Sequence, residues 1–112
     1  MIIHTNLTHE RWFKFSLLEQ LANVGTDIER AIQCKNNQTL NFSIKAFERA
    51  LELLEATIAD PKNRGPRLKE LLRVREALID YFVYDNEYST SDKLWQNYFY
   101  DFNYAAAIQK GK

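Results

Sequence analysis

The chain has 112 residues, 46% of them apolar and 27% charged, which is the balance of a globular protein of one domain and excludes a disordered chain. Fifteen basic residues cancel fifteen acidic ones, so the net charge lacks the basic excess of a duplex-binding domain; a local basic patch escapes that test. Two prolines, three glycines and abundant Leu, Ala, Glu and Lys favour helix throughout, and β-branched residues never alternate over four positions.

Residues 1–7 read as a short lead-in. Thr8 suits an N-cap, and Leu7 with Trp12 suits a hydrophobic staple. A first helix is expected over 9–35, with Phe13, Leu17, Leu18, Leu21, Val24, Ile28, Ala31 and Ile32 on one side at 3.6 residues per turn. Trp12 and Phe15 fall away from that stripe. Gly25 lies within it, and a mid-helix glycine costs about 1 kcal/mol against alanine, so a close helix crossing is expected there.

A second helix is expected over 40–59. Its Leu40, Ile44, Phe47, Leu51, Leu54 and Ile58 follow a 4-3-4-3-4 spacing, a heptad-like seam expected to face the core. Asp60 before Pro61 ends it, since the residue preceding proline avoids the helical region. Residues 61–66 hold the only breaker cluster, and Pro66 suits the first position of a third helix over 66–85. Its apolar face, from Leu68 to Val83, has Arg75 near the middle. Residues 86–91 form a turn, and a fourth helix is expected over 92–109, with Leu94, Trp95, Tyr98, Phe99, Phe102, Ala105 and Ala106 toward the core. The fold expected is all-α: an antiparallel up-down four-helix bundle with a long first helix, in a single domain over 1–112.

Ten of the fifteen aromatic residues fall between Tyr81 and Tyr104. Tyr81 and Tyr98 belong at the core edge, with their hydroxyls at the boundary. Tyr84, Tyr88, Tyr100, Tyr104 and Ile108 look outward, and with Trp12 they are the candidate partner interface, because aromatics supply much of the energy of protein–protein contacts. Base stacking would need a basic groove beside them, and Asp80, Asp85, Glu87, Asp92 and Asp101 oppose one there.

Arg75 is the candidate buried anion or ion-pair site. A buried guanidinium must be paired, and Glu29 and Glu55 are the flanking acids. The carboxylates Glu48, Glu52 and Glu55 lie on one flank of the second helix and read as a solvated face.

No catalytic residue, metal site or cofactor is expected. His4 and His9 are the only histidines and both are N-terminal. No Glu-x-x-His pair, glycine-rich phosphate loop or nucleophile–base pairing is present. A single cysteine, Cys34, fits a reducing compartment, and no apolar run approaches the roughly 20 residues of a membrane span, so a cytoplasmic protein with no nucleic-acid or membrane partner is expected.

Residues 46–53, Ala-Phe-Glu-Arg-Ala-Leu-Glu-Leu, resemble the second helix of a tetratricopeptide repeat, but the proline falls too late and no second copy exists. The first two helices are also similar in leucine and alanine periodicity to helical export chaperones for flagellin. The function expected is a non-enzymatic interaction module, a homo-oligomer or an adaptor. The alternative is a small-molecule or anion-binding bundle with Arg75 in an internal pocket, possibly an enzyme.

Overall fold

The computed structural model describes residues 9–110, the side chain of Lys110 excepted. The lead-in, the Thr8 cap and the Leu7 half of the staple lie outside those residues. Within them the chain forms α1 (His9–Phe13), α2 (Leu17–Asn36), α3 (Leu40–Ala59), a 3₁₀ turn over Pro61–Asn63, α4 (Pro66–Val83) and α5 (Asp92–Lys110). No helix among them is long and apolar enough to cross a membrane.

Side-chain contacts fix the directions of the four long helices. The end of α2 meets the start of α3, where Ser43 Oγ donates to the Ala31 carbonyl at 2.8 Å. Phe47 of α3 stacks on Phe82 of α4, with ring centroids 4.7 Å apart, while Glu55 meets Arg75. Tyr98 of α5 reaches Glu70 of α4, and Lys35 at the end of α2 meets Asp92 at the start of α5. In each of these pairs the residue numbers run in opposite senses, so every neighbouring pair is antiparallel. The bundle is the up-down-up-down arrangement expected.

The first expected helix is two. Ser16 Oγ accepts the Glu19 N–H at 3.2 Å, and Glu19 Oε1 accepts the Ser16 N–H at 3.0 Å. This reciprocal capping box starts a new helix at Leu17 and turns the chain at residues 14–16. The turn lays α1 across one end of the bundle and swings Trp12 inward. Trp12 is only 2% exposed, and its Nε1 donates to Thr57 Oγ1 at 3.0 Å.

A buried polar clasp holds this end. Gln20 Nε2 donates to the Trp12 carbonyl at 3.0 Å and to Asp60 Oδ2 at 2.9 Å. Asn63 Nδ2 donates to Gln20 Oε1 at 3.0 Å and to the Thr57 carbonyl at 2.9 Å. Lys62 reaches over the top, donating to the Phe13 carbonyl at 3.0 Å and to Asp60. Among the described residues no buried side-chain polar atom lacks a partner, so the clasp avoids the cost of an orphaned group.

The second helix has the expected span but a different rotation. Its buried face is Ser43, Ala46, Phe47, Ala50, Leu53, Leu54, Ala56 and Thr57. Small residues on this face let α2 approach closely, and dense packing there outweighs the burial of the larger seam. Phe47 and Leu54 keep their places in the core, Leu51 and Ile58 are half-buried, and Leu40 and Ile44 stand 59% and 57% exposed. The expected heptad seam is therefore split between core and surface. Leu94 and Leu72 are likewise exposed rather than core.

Gly25 performs the close approach expected of it. A Cβ there would lie 2.6 Å from Phe99 Cβ, so α2 and α5 touch almost backbone to backbone. The helix before the turn ends at Val83, two residues earlier than expected. Buried Asp80 accepts the N–H groups of Glu87 and Tyr88 at 2.9 and 3.1 Å, drawing the chain back onto the helix end. Asn86 then ties the turn to Thr90 through both its amide oxygen and nitrogen.

Candidate functional site

The outward residues of α5 form one stripe. Tyr100 and Tyr104 are 64% and 60% exposed, and Ile108 follows one turn later, also exposed. Positions four apart share a helix face, and the two tyrosine rings stack with centroids 6.4 Å apart and planes 13° apart. Beside Tyr100 runs a groove of about 280 Å³ between α2 and α5. Gly25, Ile28, Ile32, Trp95 and Phe99 line it, and at its lip Gln96 Nε2 donates to Glu29 at 2.9 Å. The missing Cβ at Gly25 and the buried rings of Trp95 and Phe99 make its walls apolar. A space of this size takes one or two side chains rather than a drug-sized ligand.

The six residues expected to form one interface do not all meet. Trp12 leaves the set, because its indole is buried against Thr57 and cannot touch a partner while α1 is docked. Tyr84 and Tyr88 are exposed but sit at the turn before α5. Tyr100 lies about 12 Å further along α5 than Asp92, where the helix begins. The structure thus groups Tyr100, Tyr104 and Ile108 and leaves Tyr84 with Tyr88 at the other end.

The inward tyrosines are anchored as the sequence suggests. Half-buried Tyr81 accepts from Lys35 Nζ at 2.8 Å, and the same ammonium donates to Asp92 at 2.8 Å. Half-buried Tyr98 donates to Glu70 Oε2 at 3.0 Å. Burial, then the hydrogen bond and charge of the adjacent Glu70, pushes the Tyr98 phenol well above its ordinary range. Its hydroxyl is thereby held as the proton donor to Glu70, tying α5 to α4.

Arg75 is not enclosed. Its Nη2 and Nε donate to Glu55 Oε2 at 2.7 and 3.1 Å, and its side chain is 37% exposed in a shallow hollow bordered by Ile58 and Leu72. Of the two acids foreseen, Glu55 is the partner, while Glu29 bonds to Gln96. The buried apolar residues of α4 are Leu71, Val74 and Leu78, and Arg75, beside Val74, extends its long side chain to the rim. Among the described residues no group of three or more His, Cys, Asp or Glu side chains is placed to hold a metal ion.

No protein-family model, curated protein or solved structure matches the chain.

Proposed function

We propose that this protein is a non-enzymatic interaction module, a helical bundle that binds a protein partner or a second copy of itself through the outer face of α5. One observation carries the reading: Tyr100, Tyr104 and Ile108 are exposed on successive turns of one face, beside an apolar groove with room for a partner's side chain. Aromatic anchors next to a pocket are the arrangement that concentrates binding energy in interfaces. The single cysteine supports a reducing, cytoplasmic setting for that contact.

The test is the Tyr100→Ala, Tyr104→Ala double variant, compared with wild type by light scattering and circular dichroism. Self-association predicts a wild-type mass above the 13.3 kDa monomer and a monomeric variant of unchanged helicity. The adaptor form predicts monomers in both cases and a partner captured from lysate by wild type alone. Identical behaviour in both assays would refute the proposal. The alternative, an anion-binding bundle centred on Arg75, has less support, because Glu55 already neutralises that guanidinium at the bundle rim.

A further inference from the structure

The groove beside Tyr100 has apolar walls, yet the Glu29 carboxylate stands half-buried at its lip. No lysine, arginine or histidine lines this space. Among the described residues Glu29 makes no ion pair. Its partners are two neutral amides, Gln96 Nε2 at 2.9 and 3.3 Å and Gln33 Nε2 at 3.5 Å. Arg30, the next residue, gives its N–H to Asp27 instead. Glu55 and Asp92, also half-buried, each meet a cation.

Amides occupy some of the carboxylate's lone pairs but leave its charge unbalanced. A charge drawn partly out of water without a counter-ion is unfavourable, and a cation placed beside it relieves the cost. The rest of the lip also offers acceptors. Gln96 spends its amide nitrogen on Glu29, and its amide oxygen accepts nothing from the described residues; Asn103, exposed one turn beyond Phe99, makes no hydrogen bond with them either. The exposed Tyr100 ring borders the same space, and an aromatic face attracts a cation.

We propose that this groove takes an arginine side chain of a partner protein, carried on an amphipathic helix whose apolar residues cover the stripe from Tyr100 to Ile108. The inference rests on the interaction reading above and gives the partner its chemistry. The methylene stem would pack on Trp95 and Phe99, and the guanidinium would meet Glu29 at the lip, with Tyr100 alongside. Arginine suits this lip better than lysine, because its planar fork engages a carboxylate through two N–H groups and stacks on an aromatic ring. Charge complementarity selects a basic partner over a second copy of this chain. On the exposed side of α5 Lys93 and Asp101 offset each other, so the negative charge of Glu29 is in excess. A two-fold contact would bring two copies of that charge to one interface.

Fluorescence anisotropy tests it with a labelled helical peptide that carries leucines at helical spacing around one arginine, and the same peptide with citrulline, which keeps the shape and removes the charge. Wild type is expected to bind the arginine peptide about tenfold or more tightly than the citrulline peptide, by a margin that shrinks as salt rises. Glu29→Gln keeps the size of the side chain, and it is expected to bind both peptides alike, at the citrulline level, with circular dichroism verifying the fold. Tyr100→Ala with Tyr104→Ala is expected to weaken both peptides. Equal binding of the two peptides by wild type, or an unchanged preference in Glu29→Gln, would overturn the inference; loss of both peptides in the tyrosine variant would still leave the α5 reading standing. No binding of either peptide would overturn it as well, and a dimer abolished by the tyrosine substitutions would then make a second copy the occupant.

Discussion

Gly25→Ala pits two well-measured effects against each other. In an isolated helix the change stabilises by about 1 kcal/mol, since alanine is the best helix former and glycine among the worst. Here the new Cβ would sit 2.6 Å from Phe99 Cβ, 3.0 Å from its Cγ and 3.1 Å from its Cδ1. Carbon atoms rest at about 3.5–4.0 Å, so the axes of α2 and α5 must part by nearly an ångström. The nearest atom is a Cβ, fixed to the α5 backbone, and no rotamer change of Phe99 removes it. Overpacking of this kind costs about 1–3 kcal/mol. Packing should win, leaving a net loss of about 1 kcal/mol, at most about 2 kcal/mol after the propensity gain. Urea unfolding followed by helical circular dichroism measures it, as a lower midpoint with unchanged slope. A variant as stable as wild type, or more stable, would refute the close crossing as the reason for glycine at this position.

Two further outcomes follow from the polar contacts. Burial works to raise the Asp60 carboxyl, but the hydrogen bonds from Lys62 and Gln20 and the Lys62 charge outweigh it and hold it below its ordinary value. A group lowered in the folded state lends stability that is full above its unfolded value, about 3.9, and is lost as pH falls through the folded value. Asp60→Asn should therefore destabilise at neutral pH, and its deficit in urea unfolding should shrink from about pH 5 downward; a deficit constant with pH would contradict the sign. Arg75→Ala should cost less than about 1 kcal/mol, because its pair with Glu55 is partly solvated. A loss of several kcal/mol in thermal unfolding would show instead that the guanidinium is needed inside the bundle.

Local signals in the chain located most of the helices. Asp60 with Pro61, and Pro66 after Gly65, act through backbone sterics that need no partner, and α3 and the start of α4 fall where they place them. Gly25 was also legible, because a residue that weakens a helix needs a compensating contact. The break before α2 was written in Ser16 and Glu19 as a capping box, a signal masked by the continuous apolar stripe from Phe13 to Ile32. Missing that break misplaced Trp12, whose orientation depends on the turn.

The sequence by itself determined an all-helical chain, the breakers between α3 and α4, and the outward placement of Tyr100, Tyr104 and Ile108, because each depends on signals within one helix or at its end. Only the tertiary structure decided which face of α3 is buried, since small side chains governed how near α2 could come and the larger heptad residues took what room was left. It also decided that Glu55 rather than Glu29 meets Arg75, and that Tyr84 and Tyr88 stand apart from the α5 stripe. That Arg30 of α2 and Lys45 and Arg49 of α3 line one hollow was equally hidden. Those residues sit on two helices, and no periodicity within either one states the register at which the two pack.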